Sequence, residues 1–169
     1  PPPLFLLHTL LKKRFLKYKG HKFRCSIGKS GFNKSKKEGD FATPIGVFKL
    51  GALYFRKDRI KSVKSKLKKK IIKKNMGWCD DTQSKKYNQE ISFPFQYGAE
   101  KLFRKSSIYD ILIPIKYNYS PTVKNKGSAI FLHLCSKKYK HTKGCVSIQK
   151  KDFLKILPLI TKKTKILIH

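Results

Sequence analysis

A histidine and a cysteine that lie twelve residues apart, His133 and Cys145, carry the groups needed for nucleophilic chemistry. A cysteine becomes a strong nucleophile when a neighbouring base takes its proton, and imidazole is the usual base. We therefore predict that Cys145 is the nucleophile and His133 the general base of an acyl-transfer reaction. Gly144 lets the chain turn tightly before Cys145, so the N–H groups of Gly144 and Cys145 are predicted to bind an oxyanion.

The segment after Cys145 has the apolar spacing of a helix. Between Gln149 and Leu157, three apolar residues fall on one side: Phe153, Leu154 and Leu157. A helix that begins soon after Cys145 would place its positive N-terminal end near the thiol and lower the thiol pKa. The positive charges of Lys140 and Lys143 would act in the same direction. We therefore expect a Cys145 pKa below the ordinary range.

These residues also have structural interpretations. A free cysteine is most often a small buried apolar residue. Four residues could instead bind zinc: His133, Cys135, His141 and Cys145. Their spacing lacks the Cys-x-x-Cys pair that is typical of structural zinc sites, so we predict neither a metal nor another cofactor. If Cys145 is the nucleophile, three cysteines remain and cannot all pair, so reduced thiols are expected.

Short apolar segments surround these residues and predict a mainly β fold. Five of them have the length and pattern of strands: His21–Ile27, Val47–Tyr54, Tyr109–Tyr117, Gly127–Cys135 and Lys163–His169. Both faces of the segment that contains His133 are apolar, so it is predicted to be a central, covered strand. Pro114 predicts an edge strand or a bulge for its own segment, because proline has no N–H to donate. The pattern favours a sandwich-like domain with a helix after the cysteine turn.

The chain of 169 residues has the size of one domain. Residues 1–20 are predicted to be an N-terminal extension or an edge element, and residues 21–169 the catalytic domain. Residues 57–74 are rich in lysine with a few apolar residues between. This pattern indicates a solvated insertion that docks one thin apolar edge against the rest of the domain. No apolar run is long enough to span a membrane. We expect a monomer.

Three segments in order along the chain resemble the signature of the L,D-transpeptidase catalytic domain of the YkuD type. The first, Glu38–Phe48, is similar to the family's G-x-x-x-T-P-x-G-x-F pattern. The second, Met76–Asp81 with Tyr87-Asn88, resembles a compact single-domain branch of the family. The third is His133 followed by Thr142–Val146, where the family carries a histidine and then a Ser/Thr-x-Gly-Cys turn. The resemblance covers about residues 20–169.

This resemblance implies a mainly β enzyme that acts on peptidoglycan stem peptides. Cys145 would attack the carbonyl of the third stem residue, form a thioester and release a terminal D-amino acid. His133 would act as base and then as acid, and the Gly144 backbone would belong to the oxyanion hole. An L,D-carboxypeptidase of peptidoglycan recycling stays open as an alternative, since it differs only in using water instead of an amine against the thioester.

The resemblance also implies a location in the cell envelope or periplasm. No export signal is visible at the start of the sequence, so the cytoplasm is the alternative.

Two positions depart from the family pattern and bear on substrate binding. Most members have His where this chain has Lys143, and Arg where it has Ser147. The Arg position is associated with the substrate carboxylate. The candidate substrate-binding residues are Trp78, Asp80, Asp81, Thr142, Lys143 and Ser147. For Trp78 and the acidic pair two interpretations are open: a cleft wall that accepts a substrate ammonium group, or a packed aromatic beside an acidic turn.

The positive charge of the chain raises a different class of function. Its 41 Lys and Arg residues against 9 Asp and Glu give a net charge of +32, so a basic nucleic-acid-binding protein is an alternative. The charge is spread along the whole chain and is mostly lysine, whereas the arginine that reads bases is scarce. We therefore predict no specific nucleic-acid partner. The positive surface would also suit an anionic cell-wall polymer.

Overall fold

Short strands make up most of the regular structure in the computed structural model, which describes the backbone of residues 4–10 and 13–169 and the side chains from residue 14 onward. The strands are β1 (Leu4–Leu10), β2 (Lys13–Tyr18), β3 (His21–Ser26), β4 (Phe32–Asn33), β5 (Thr43–Pro44), β6 (Gly46–Lys49), β7 (Leu53–Phe55), β8 (Lys69–Ile71), β9 (Met76–Cys79), β10 (Glu90–Ser92), β11 (Ala99–Lys101), β12 (Ile111–Pro114), β13 (Phe131–Leu134), β14 (Val146–Ile148) and β15 (Lys165–Ile168). One α-helix, α1 (Lys150–Ile156), continues into a 3-10 turn, Leu157–Leu159. The predicted mainly β fold is confirmed.

Ten strands form one large sheet in the order β6-β15-β1-β2-β3-β14-β13-β12-β7-β8. Its centre is the parallel pair β13 and β14, in which His133 is opposite Ser147. β3 flanks this pair on one side and β12 on the other, both antiparallel to their neighbours. The segment with His133 is therefore a central, covered strand, as its apolar faces predict.

The two faces of the central strands lie in two different cores. On one face, Val146 and Ile148 belong to the large apolar cluster that includes Phe153 of α1. On the other face, Phe131 and Cys145 belong to a cluster that includes Trp78. Trp78 lies in β9, the middle strand of the three-stranded sheet β10-β9-β11. The small sheet and the helix thus cover opposite faces of the large one, which gives the sandwich-like architecture.

α1 lies where the sequence predicts a helix, but one of the three residues predicted on its apolar side is exposed. Phe153 and Leu157 are fully buried, whereas Leu154 is 38 % exposed. Ile156 and Ile160 are buried in its place. Buried positions spaced by three, four and seven residues from Phe153 form the narrow stripe of a surface helix, and Leu154 falls outside it.

Pro114 does not mark an edge. β12 lies between β13 and β7, and Pro114 is opposite Phe131 in the sheet. The N–H of Ile115 donates to Ile130, so the nitrogen of position 114 faces the other side, where pairing with β7 ends at Leu112. Proline is tolerated inside this sheet because no ladder bond is required from its nitrogen.

The predicted single strand Val47–Tyr54 is two strands in the structure. β6 pairs with β15 at one edge of the large sheet, whereas β7 pairs with β12 near the other. The residues between them cross the gap: Leu50 bridges Ile115, and the Lys116 N–H donates to the Lys49 carbonyl at 2.9 Å. This crossing brings the two ends of the sheet together, which a local alternation pattern does not predict.

The first twenty residues contribute two strands to the interior of the large sheet, so the predicted edge element is wrong for this part. β1 lies between β15 and β2, and β2 continues to β3. Residues 1–3 and 11–12 of that predicted extension lie outside the described residues.

The lysine-rich segment 57–74 carries the edge strand β8 and buries four apolar side chains: Ile60, Val63, Leu67 and Ile72. Within residues 4–10 and 13–169, no helix has the length and apolar character needed to cross a bilayer.

Candidate functional site

A cavity of about 600 Å³ on the Phe131 face of the sheet contains both residues predicted to do chemistry. His133 lies in β13, and Cys145 immediately precedes the partner strand β14. Because His133 is opposite Ser147, Cys145 lies two residues along the neighbouring strand and on the same face. That offset is about 6.6 Å along a parallel strand.

The chain reaches Cys145 through a turn that only glycine permits. Gly144 has a φ of +139°, and a Cβ at this position would lie 2.8 Å from the Ala42 carbonyl oxygen. The Thr142 hydroxyl donates to the Cys145 carbonyl at 2.6 Å and accepts the Gly144 N–H at 3.1 Å. From the Thr-Pro segment, the Thr43 hydroxyl donates to the Gly144 carbonyl at 2.8 Å. Two segments singled out in the sequence therefore form one rigid turn.

This turn changes the predicted oxyanion site. The Gly144 N–H is already engaged by Thr142, whereas the Cys145 N–H makes no hydrogen bond to any described residue. Only one of the two amides predicted for the oxyanion is therefore available in this state.

The Cys145 thiol is held between two backbone groups. It donates to the Ala129 carbonyl at 3.2 Å and accepts the Phe131 N–H at 3.3 Å. Burial raises the pKa of Cys145 to about 12, with a further contribution from the Glu100 carboxylate. The Phe131 N–H acts in the opposite direction but is outweighed.

The prediction of a lowered Cys145 pKa is therefore wrong for the site without substrate. α1 begins at Lys150, beyond β14, so its N-terminus does not adjoin the thiol. The cations that act on Cys145 are Lys36 and Arg104, and their effect is smaller than that of burial. A thiol enclosed in a low-dielectric site keeps its proton because a thiolate there loses its hydration.

His133 is also buried and neutral. Burial lowers its pKa to about 4. Its Nδ1 lies 2.8 Å from the Leu134 carbonyl oxygen, which can only accept, so we assign the proton to Nδ1 and the lone pair to Nε2. The Tyr109 ring packs edge-on against the imidazole with centroids 5.2 Å apart. The backbones of Leu134 and Ile108 and the ring of Tyr109 contact the imidazole, and no local sequence pattern identified them.

A cluster of three charged or polar side chains extends from Tyr109 along the cavity wall. The Tyr109 hydroxyl donates to Glu100 at 2.7 Å, and the Arg104 guanidinium donates to the same carboxylate oxygen at 2.6 Å. Arg104 also lies 4.4 Å over the Tyr109 ring. Burial raises the pKa of Glu100, although Tyr109 and Arg104 oppose the shift. The cavity therefore contains a guanidinium group, although it does not come from position 147.

Asn88 joins the second sequence motif to the residues around the Cys145 thiol. Its side-chain oxygen accepts the Trp78 indole N–H at 2.9 Å and the Ala129 N–H at 3.0 Å. Ala129 is the residue whose carbonyl holds the Cys145 thiol. The segment with Trp78 and Asn88 thus positions the loop that leads into β13.

The other residues predicted to bind substrate separate into two groups. Asp80, Lys143 and Ser147 line the cavity, and burial raises the pKa of Asp80. Asp81 accepts the N–H groups of Gln83 at 2.9 Å and Gly98 at 3.1 Å, which makes it part of a turn.

Trp78 is buried and packs edge-on against Phe131, outside the lining of this cavity. Thr142 lines the cavity, with its hydroxyl engaged within the turn.

The zinc site considered as an alternative is not supported by the side-chain positions. No group of three or more His, Cys, Asp or Glu side chains lies close enough to hold a metal ion in the part of the chain that the structure describes. The four cysteines are free thiols, as expected: Cys25, Cys79, Cys135 and Cys145.

Comparison with protein families agrees with this fold. Residues 11–168 match the YkuD L,D-transpeptidase catalytic domain. Because the match covers nearly the whole chain, the protein belongs to the YkuD family of L,D-transpeptidase catalytic domains. Comparison with curated proteins gave no match, and comparison with solved structures gave none.

The two buried groups should make stability depend on pH in both directions. Below its ordinary pKa of 6.5, His133 takes up a proton in the unfolded chain but not in the folded one until about pH 4. The free energy of unfolding should therefore fall as the pH drops from about 6.5 towards 4. Cys145 ionises above pH 9.0 only when unfolded, so stability should also fall between pH 9 and about 12.

Urea unfolding of the parent and of His133→Gln between pH 4.5 and 7.5 checks the acid side. The parent should lose stability more steeply than the variant as the pH falls, because only the parent carries the buried imidazole at position 133. Equal slopes for the parent and His133→Gln would contradict a neutral buried His133.

Proposed function

We propose that this protein is a cysteine acyl-transferase that acts on peptidoglycan stem peptides. The observation that carries the proposal is the placement of Cys145 and His133 on neighbouring parallel strands, facing one cavity. Membership of the YkuD family supplies the substrate class.

The free site holds a protonated thiol and a neutral imidazole, so proton transfer between them is strongly unfavourable before substrate binds. We therefore expect the Cys145 proton to move to Nε2 of His133 as the sulfur attacks the substrate carbonyl, and not earlier. The C–S bond forms while the carbonyl π electrons move to oxygen, and the Cys145 N–H donates to that oxygen.

Collapse of the tetrahedral intermediate completes the first half of the reaction. The C–N bond to the terminal D-amino acid breaks, and His133 returns its proton to the departing amine. The stem peptide then remains on Cys145 as a thioester. An amine from a second stem peptide attacks this thioester in a transpeptidase, and water attacks it in a carboxypeptidase. We place the transpeptidase first because of the family.

The charges of the cavity suit a stem peptide, which carries both carboxylates and an amine. Arg104 and Lys143 are cations of the lining, and Asp80 is an anion with no hydrogen bond to a described side chain. We propose that Asp80 accepts a substrate ammonium group and that the two cations face substrate carboxylates. The Ser147 side chain is too short to bind a substrate carboxylate in this way. Since wall cross-linking occurs outside the cytoplasmic membrane, we place the protein in the cell envelope.

Replacing the nucleophile should abolish turnover without loss of the fold. Cys145→Ala removes one sulfur from a buried side chain and leaves the Thr142 and Thr43 bonds to the turn in place. We expect no product from a disaccharide tetrapeptide and no labelling of this position by thiol reagents, with circular dichroism unchanged. Turnover close to the parent's would remove Cys145 from the mechanism. Cys135→Ala, in the same cavity lining, is the matched thiol control and should remain active.

The general base should be distinguishable from the other histidine of the cavity. His133→Ala should lower kcat/KM by about two to four orders of magnitude, the usual range for loss of acid–base catalysis. His141→Ala should cost much less, because His141 is exposed at the cavity rim. The parent's acid limb in kcat/KM should lie near pH 4, where His133 becomes protonated. A limb near 6.5, or equal losses for the two variants, would assign the base elsewhere.

The acceptor can be identified from the products. Purified enzyme is incubated with a disaccharide tetrapeptide and the mixture is analysed by mass spectrometry. A transpeptidase gives a dimer joined through third-position residues, together with free D-amino acid. A tripeptide with free D-amino acid and no dimer, even at high acceptor concentration, would establish the carboxypeptidase instead. The Cys145→Ala variant is the control for contaminating activities.

A further inference from the structure

Lys36 is a buried cation beside the turn that carries the nucleophile. Its side chain is only 3 % exposed, which is rare for lysine without a specific partner. The partner is Asp40, whose Oδ1 lies 2.6 Å from the ammonium nitrogen. Burial alone would raise the pKa of Asp40, but hydrogen bonds from Lys36, Lys37 and Ala42 outweigh it and lower the pKa. The Asp40 carboxyl group is therefore ionised at neutral pH.

Two glycines leave the space that this side chain occupies. A Cβ at Gly127 would lie 2.8 Å from Cε of Lys36. A Cβ at Gly144 would lie 3.6 Å from its ammonium nitrogen. The ammonium group is therefore packed directly against the residue before Cys145, and Lys36 lines the same cavity as the thiol.

The Lys36 ammonium group has one N–H donor left that can serve this cavity. Lysine has three N–H donors, and Lys36 directs them to Asp40 and, at 3.3 Å, to the Lys37 carbonyl. No third acceptor for it exists among the described residues. At the same turn, the Gly144 N–H predicted to bind the oxyanion is engaged by Thr142.

We propose that Lys36 supplies the positive charge that stabilises negative charge at the Gly144–Cys145 turn, first on the sulfur and then on the substrate oxygen. Asp40 is the positioning residue that holds the ammonium group in place. This role rests on the proposed acyl transfer for the oxygen, whereas the effect on the sulfur does not require any substrate. Fixed charges in a site that excludes water stabilise such ions more strongly than they do in water.

The other charges around the thiol have to be held constant in a test. Glu100 raises the pKa of Cys145, whereas Lys36 and Arg104 lower it. The remaining charged or titratable groups of the cavity lining are Glu38, Asp80, Tyr109, His133, Cys135, Lys140, His141 and Lys143. None of them is changed in the variants below.

The test is the alkylation rate of Cys145 by iodoacetamide at pH 9, followed by mass spectrometric peptide mapping. Lys36→Met keeps the length of the aliphatic stem and removes the charge. The thiolate fraction should fall, so the rate constant should drop about three- to tenfold. Lys37→Met removes the same charge from the adjacent exposed position and should stay within about twofold of the parent.

Two further variants separate charge from packing. Lys36→Met/Asp40→Asn removes both members of the ion pair, so it restores charge balance in the loop, and Cys145 should remain as slow as in Lys36→Met. Lys36→Arg keeps the charge and should stay close to the parent. If Lys36→Met does not fold, the alkylation rate of the double variant is compared with that of the parent instead. Parental alkylation rates in the folded Met variants, or an equal loss in Lys37→Met, would overturn the proposal.

Turnover gives the second readout. With a disaccharide tetrapeptide, Lys36→Met should lower kcat by about tenfold or more with little change in KM, because the charge acts on the transition state. An absence of turnover in the parent would contradict the proposed function but would leave the alkylation comparison valid.

Discussion

The parallel pairing of β13 with β14 is the constraint on which the site depends. Parallel neighbours need a connection that returns the chain to the same end of the sheet, and a helix is the usual one. Here the connection is residues 135–145, without a helix, and its second half forms one wall of the cavity. The chain must turn sharply to enter β14, and Gly144 makes that turn. Cys145 therefore lies where a short crossover ends, directly beside the strand that carries His133.

The site combines two neutral reacting groups with charges fixed around them. Burial keeps the Cys145 thiol protonated and the His133 imidazole neutral, so the free protein stores no reactive thiolate. The ions close to these groups are each held by a partner, as Glu100 is by Arg104 and Lys36 is by Asp40. Such an arrangement favours charge that develops during the reaction, because the surrounding dipoles and ions do not have to reorganise.

The sequence predicted those features that depend on local pattern. Alternation identified the central strand, β3 and β15, and the apolar stripe identified α1. The motif with Gly144 and Cys145 identified the turn, and the structure places His133 in the same cavity.

Other features depend on partners distant in sequence and could not be predicted. Pro114 lies inside a sheet because its nitrogen faces the side on which β7 has ended. The pKa of Cys145 rises because of burial, which is a property of the whole fold. Lys36 is one of 41 basic residues, and nothing local distinguishes it from its exposed neighbours.

The bond between Thr43 and Gly144 joins positions 101 residues apart in the chain. Contacts of such long sequence separation close large loops, which costs chain entropy and slows folding. The cavity also needs Asn88, Glu100 and Arg104, which come from the region between them. A partly synthesised or partly folded chain therefore has no assembled centre. The proposed acyl transfer requires nearly every strand to be in place, so its rate would also measure complete folding.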